Sequence, residues 1–188
     1  MLKILSIKVS CLLLLALVFK AAVLEAAPVY PVKILESRPH AAECYTQGLF
    51  FWAGDLYESC GRYAGSSINR WSFPAGRTGS RLQKRALPEK YFAEGAAAVN
   101  NEIYLLTWRE GTVFVLQAET LMFLREFSYP GEGWGLTWDG RRLWRSDGSS
   151  SLYPHRPEDF ASAGEPLVVR DRERNLEIAR LNELEWDE

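Results

Sequence analysis

Three stretches of this chain repeat one another. Gln47-Gly48 opens QGLFFWAGDLYES, Glu94-Gly95 opens EGAAAVNNEIYLL, and Trp134-Gly135 opens WGLTWDGRRLWRS. Each unit is a glycine, a short apolar run, a polar turn, and then Leu or Ile followed by Tyr or Trp. The copies are spaced by about 40 to 47 residues, and behind each lies more strand-like material closed by a turn: SINRWSFPAGR, TVFVLQAETL and LYPHRPEDF. Two hairpins per period of this size are the signature of a four-stranded propeller blade. Outside the N-terminus no segment of comparable length has helical periodicity. A sandwich of irregular hairpins is the rival architecture. A fourth copy opens at Asn182 in LNELEWDE, so the expectation is an all-β chain holding three complete blades and the start of a fourth.

In a propeller the first strand of each blade lines a central channel. The residues just before the repeated glycines, Gln47, Glu94 and Trp134, and their fourth-copy counterpart Asn182, then face one mouth. A purely structural position would tend to repeat one residue type. Two amides, an acid and an indole at equivalent positions point to a binding site.

The first 30 residues have a different character. Lys3 and Lys8 precede an apolar run from Val9 to Phe19, and small residues follow through Ala26 and Ala27. That three-part layout predicts a signal peptide over residues 1–26, an exported domain over 27–188, and no membrane association after cleavage. An uncleaved anchor is the alternative. The export signal does not separate periplasm from medium. The full chain carries 22 basic and 24 acidic residues. Losing Lys3, Lys8, Lys20 and Glu25 makes it more acidic still, which argues against nucleic acid as a partner. Arg170 to Arg174, RDRER, alternates in sign as a solvated loop or strand edge does.

Export also governs the cysteines. Cys11 leaves with the leader, and Cys44 and Cys60 flank the hairpin GLFFWAGDLYES. The open ends of a hairpin approach one another, so a Cys44–Cys60 bridge is expected in an oxidising compartment, with two free thiols as the alternative. His40 and His155 are the only histidines and lie far apart, with no second ligand at metal spacing, which disfavours a catalytic zinc. No cofactor is expected, although a structural calcium remains open. GEGWG precedes a strand and lacks the helix a phosphate cradle needs. The hydroxyls of SDGSSSL, Ser146 to Leu152, read as turn residues bonding to backbone.

Longer motifs carry a resemblance. YTQGLFF with LYESCGRYAGSSI, FAEG, LLTWREGTVFVLQAETL, YPGEGWGLTWDGRRLWRSDGSSSLY and LNELEW occur in this order between Cys44 and Trp186. Together they resemble the glutaminyl-peptide cyclotransferases of the plant and bacterial type, also called glutamine cyclotransferases. The resemblance implies a secreted five-bladed β-propeller that converts the N-terminal glutamine of peptides or proteins to pyroglutamate with loss of ammonia. It also implies a set of site residues: Tyr45, Gln47, Phe92, Glu94, Trp108, Trp134 and Asn182.

The substrate's α-amine attacks its own γ-amide, so nucleophile and electrophile are already tethered and need only positioning and proton transfer. Glu94 is the candidate general acid and base. Phe92, Trp108 and Trp134 would desolvate it, raise its pKa and wall the glutamine side chain, while Gln47 and Asn182 supply amide donors and acceptors. Two departures from the family pattern stand out. Ala93 replaces a glycine, which is tolerable if its φ stays negative. The family continues past LNELE through a further blade that supplies a lysine, so a truncated propeller is expected here. The competing function is a non-catalytic exported propeller fragment that binds peptides or partner proteins.

Overall fold

The computed structural model describes residues 30–37, 39–40, 42–72 and 79–186, so the leader expected over residues 1–26 lies outside the described part. The chain divides into two units, Met1–Lys33 and Ile34–Glu188. Of the first, Tyr30 to Lys33 are exposed and irregular.

The second unit is built of antiparallel sheets, three of them four-stranded. Strands β1 (Thr46–Trp52), β2 (Asp55–Cys60), β3 (Ser67–Ser72) and β4 (Arg81–Ala86) pair in sequence order. So do β5 (Ala93–Val99), β6 (Glu102–Thr107), β7 (Thr112–Gln117) and β8 (Phe123–Ser128). The third sheet follows the same order with β9 (Leu136–Trp138), β10 (Leu143–Ser146), β11 (Ser151–His155) and β12 (Leu167–Val168). These are the three expected blades, and the fold is of β-propeller type. A small hairpin follows, β13 (Arg170–Asp171) with β14 (Leu176–Glu177), braced by an Arg170–Glu177 ion pair at 2.7 Å. The sign-alternating RDRER string thus supplies one short strand and the turn after it.

The polar turns of the repeat close the first hairpin of each blade. Ala53 and Gly54 both have positive φ (49° and 86°), as do Asn100 (54°) in the second blade and Gly140 (85°) in the third. Such conformations match the twist of a tight hairpin.

Period-two alternation in the middle blade decides where the core lies. Ile103, Leu105, Phe114 and Leu116 pack with Phe50, Tyr57 and Ile68 of the first blade. Their neighbours Tyr104, Leu106, Val113 and Val115 pack with Leu136, Leu143 and Phe160 of the third. The middle sheet is therefore buried on both faces, and each large apolar side chain so buried contributes about 1.5–3 kcal/mol. The outer strand β4 is exposed throughout.

The first strands of successive blades stand side by side, β1 against β5 and β5 against β9. A Cβ on Gly48 would lie 2.8 Å from the Ala96 nitrogen, one on Gly95 would lie 2.6 Å from the Trp134 oxygen, and one on Gly135 would strike the Asn182 carbonyl. The repeated glycine thus exists because each inner strand crosses the next at backbone contact. Strands β1, β5 and β9, with Glu185 and Trp186, surround a small cavity of about 110 Å³ along this axis. The expectation that residues from Asn182 onward open a fourth inner segment agrees with this placement.

The Cys44–Cys60 disulfide is formed, with a Cα–Cα distance of 5.0 Å. It closes the open end of the β1–β2 hairpin, where Thr46 pairs with Cys60.

Candidate active site

The pairing of each inner strand is irregular where a site residue stands. In β1 the register shifts between Thr46 and Gly48, which bulges Gln47 out of the ladder; in β5 it shifts between Ala93 and Ala96, which frees Glu94 and Gly95. A bulge re-aims a side chain and releases backbone groups for other partners. Accordingly the Gly95 N–H donates across to the Trp134 carbonyl of the next blade at 2.7 Å, and the Glu94 carbonyl accepts from Ser59 Oγ at 2.6 Å. Ser146 repeats the device one position on, donating to the Asn182 carbonyl at 2.7 Å. Ala93 keeps a negative φ, is fully buried, and donates its N–H to Ser66 Oγ at 2.9 Å, so its replacement of a glycine is accommodated.

Aromatic rings gather at the end of β5 that carries the acid. Phe92 meets Trp108 edge-on at 5.6 Å between ring centroids and meets Tyr63 at 5.3 Å. Gln47 and Phe92 close on the same point, since a Cβ on Gly61 would lie 2.7 Å from the Gln47 Cγ and 2.3 Å from the Phe92 ring. The backbone of Trp108 donates to Phe92 O at 2.9 Å and its carbonyl accepts from Gly133 N at 2.9 Å, which draws the GEGWG loop to the end of β6. Trp134 is cupped by the turn at Gly148.

Glu94 itself is only 7% exposed. Burial pushes its carboxyl up to about 8, and the negative charges of Glu132 and then Glu110 add to the rise. A carboxyl with such a value holds its proton near neutrality and can both give and take one.

Glu132 and Glu110 are the residues that sequence reasoning missed. Glu132 Oε2 accepts the indole N–H of Trp108 at 2.8 Å and that of Trp134 at 2.9 Å, while Oε1 accepts Arg109 Nε at 3.2 Å. Bonds from Trp134, and then from Trp108 and Arg109, hold its carboxyl below the ordinary range against the opposing effect of partial burial. The side chains of Arg109 and Glu132 are 60% and 38% exposed, so solvent screening limits that ion pair to about 0–1 kcal/mol. Arg109 also lies over the Trp108 ring at 3.8 Å. Glu110 accepts Tyr63 OH at 3.0 Å and Phe92 N at 3.3 Å. Both acids sit within two residues of a tryptophan in the motifs WRE and GEGW, and that adjacency was the available signal.

Arg145 supports the same loop from behind. It is buried between the rings of Tyr129 and Tyr153, donates to the carbonyls of Glu132 and Pro130, and reaches His155 Nε2 at 3.4 Å. His155 in turn donates from Nδ1 to Phe160 O at 2.8 Å, and burial lowers its pKa to about 4.

The structure thus brings Gln47, Phe92, Glu94, Trp108 and Trp134 into one region. Tyr45 stands at the rim, 69% exposed, and Asn182 enters mainly through its backbone carbonyl, its side chain lying at the surface. Beside Asn182, Glu183 shares the field of Glu94 and accepts from the Leu49 backbone.

One reading needs correction: His40 does have potential metal ligands beside it, since its Nε2, Cys44 Sγ and a Glu58 carboxylate oxygen all lie within 4.8 Å of one another. Residues 18 apart meet because the 39–40 segment folds over β2. Cys44 is engaged in the disulfide, and His40 pairs with Glu58 at 2.5 Å. The hydroxyls of the SDGSSSL turn behave largely as expected, but Ser150 Oγ donates to the Glu177 carboxylate at 2.7 Å.

Fold and site together define a β-propeller that carries a buried acid on an inner strand, next to a cluster in which Glu132 joins the indoles of Trp108 and Trp134. The family profile of glutamine cyclotransferases matches residues 7–188, and the chain belongs to that family. It is similar to the glutaminyl-peptide cyclotransferase of Arabidopsis thaliana, with 31% identity over 157 residues, covering 82% of this chain and 47% of that protein. Among solved structures it is similar to Myxococcus xanthus glutaminyl cyclase, with a TM-score of 0.72, 34% identity, and coverage of 82% of this chain and 63% of the other. A computationally designed protein, Ika4, shares the fold alone, at a TM-score of 0.50 and 13% identity. The chain therefore spans less than two thirds of the length of the two natural relatives.

Proposed function

We propose that this chain is an exported glutaminyl-peptide cyclotransferase acting on peptides or proteins that begin with glutamine. The observation that carries the reading is Glu94, a buried acid whose carboxyl is raised to about 8 and whose charged neighbour Glu132 binds the indoles of Trp108 and Trp134. In the reaction the substrate's α-amine nitrogen attacks the γ-amide carbon and forms the lactam C–N bond. The original C–N bond of the amide then breaks and ammonia leaves. Glu94 takes the proton the amine loses and returns one to the departing nitrogen, so no proton is consumed overall. Aromatic walls exclude water and hold the side chain folded on itself, and such pre-positioning is the larger part of the rate for a tethered reaction. Gln47, bulged toward Phe92, offers its amide to the substrate's amide or terminal amine. Export agrees with the formed Cys44–Cys60 bridge, since such bonds persist in oxidising compartments.

The test is mass spectrometry of a glutamine-initiated peptide incubated with the chain. The expected result is loss of one ammonia, slowed about 10²- to 10⁴-fold in Glu94→Gln. Equal rates for the two proteins would remove Glu94 from the mechanism. No conversion by a folded parent chain would favour a peptide-binding propeller over an enzyme.

A further inference from the structure

Trp108 ends the inner hairpin of the second blade, and Trp134 opens that of the third. Nothing in the local sequence of either fixes the distance between their rings. Glu132 does so: a single oxygen, Oε2, accepts both indole N–H groups, at 2.8 and 2.9 Å. Two donors on one acceptor cannot lie further apart than two hydrogen-bond lengths, so the walls are pinned to each other through this carboxylate. The second oxygen is held by Arg109, whose guanidinium also covers the outer face of Trp108 at 3.8 Å. The backbone of Glu132 is fixed independently, its carbonyl accepting from buried Arg145. Anchored at both ends, Glu132 has little freedom to move.

We propose that Glu132 is a positioning residue of the cyclotransferase site, a carboxylate clasp that sets the spacing of two indoles by tying Trp108 to Trp134. This rests on the cyclase reading for its functional meaning, though the clasp itself is a property of the folded chain. Glu132 has a second effect through its charge. The ionisable groups that face or influence Glu94 are Glu132, Glu110 and Glu183, with Arg109 partly neutralising Glu132 and Tyr63 bonded to Glu110. Of these, Glu132 and Glu110 carry the negative charge that raises Glu94, since Glu183 is itself pushed up to about 8, and removing the Glu132 charge makes Glu94 easier to ionise.

Two variants separate these effects. Glu132→Gln keeps a carbonyl acceptor for an indole but loses the charge; Glu132→Ala loses both. Indole N–H exchange with water and the carbon-13 carboxyl titration of Glu94, both read by NMR on the folded chain, test the clasp without any need for turnover. We expect both indole protons to exchange at least tenfold faster in Glu132→Ala, and the Glu94 midpoint to fall by about half a unit to one unit in Glu132→Gln. Ammonia release on the same samples should show kcat/KM down about 10- to 100-fold in Glu132→Ala. In Glu132→Gln the pH profile should move down by the shift seen in the Glu94 titration. Unchanged indole exchange in Glu132→Ala, or an unmoved Glu94 midpoint in Glu132→Gln, would overturn the proposal. If Glu132→Ala does not fold, Glu132→Leu, which keeps the bulk but offers neither ring an acceptor, takes its place in the indole-exchange measurement with the same expected and overturning results. A parent chain that releases no ammonia, yet shows the indole and carboxyl changes, would refute the enzyme reading and leave the clasp standing.

Discussion

Burying Glu94 as the protonated acid has a cost in stability, and the cost has a predictable pH dependence. Its carboxyl is raised from an ordinary 4.5 to about 8, chiefly by burial. Below about 4.5 both the folded and the unfolded chain carry the proton, and the group penalises neither. As pH rises from there toward 8 the unfolded chain ionises while the folded one does not, so stability is lost progressively across that window. Glu94→Gln cannot ionise and should be more stable than the parent at pH 7. The gain should vanish at pH 4, where the two carry the same charge at this site. Urea unfolding of both proteins at the two pH values checks this, and an equal difference at both would mean the acid is not held protonated by the fold. On the proposed mechanism the same substitution slows the reaction, and a stability gain paired with that loss would mark a residue that trades stability for function.

At the level of the strand and hairpin, much was legible because each repeat carries its own punctuation. The turns at Ala53-Gly54, Asn100-Asn101 and Asp139-Gly140 announce the hairpins, and the glycines at 48, 95 and 135 announce the crossing of inner strands. Which residues precede those glycines could also be read, and with them Gln47, Glu94 and Trp134. The bulges that re-aim Gln47 and Glu94 could not, because a register slip depends on the partner strand as much as on the strand itself. Nor could Glu132, since its role arises only where the end of β6 and the loop before β9 converge. For Asn182 the backbone part was equally illegible, since its carbonyl accepts from Ser146 while its side chain stays at the surface. The cysteine bridge was foreseen from the hairpin, and its energetic weight follows from the 16-residue separation it spans. Loop closure of this size restricts the unfolded chain by about 3 kcal/mol. Replacing both cysteines with serine should therefore lower unfolding free energy by about that amount and leave the fold intact, as measured by denaturant titration without reductant. A loss near zero would show that the hairpin is already closed in the unfolded chain.

Across the whole molecule, stability is passed from blade to blade and the middle blade is the link. Its strand β6 faces both ways: Leu105 is fully buried against the first blade and Leu106 is fully buried against the third. Stacked units of this kind are stabilised by their own packing plus the interfaces with immediate neighbours. Truncating either leucine to alanine should cost about 2–5 kcal/mol. The two variants should nevertheless differ in where the loss is felt. Leu105→Ala opens the interface with β1–β4, so amide exchange should accelerate most in the first blade and least in β9–β11. Leu106→Ala should reverse that order, loosening the third blade while the disulfide-closed first blade stays protected. Hydrogen exchange followed peptide by peptide distinguishes the two patterns. If both variants lose protection uniformly, the three blades unfold as one cooperative unit and nearest-neighbour coupling is wrong. If the patterns separate, Glu94 and Trp108 sit on the shared blade while Trp134 sits on one that can loosen independently. The Glu132 connection between them would then fail before the core does, and function would be lost ahead of global unfolding.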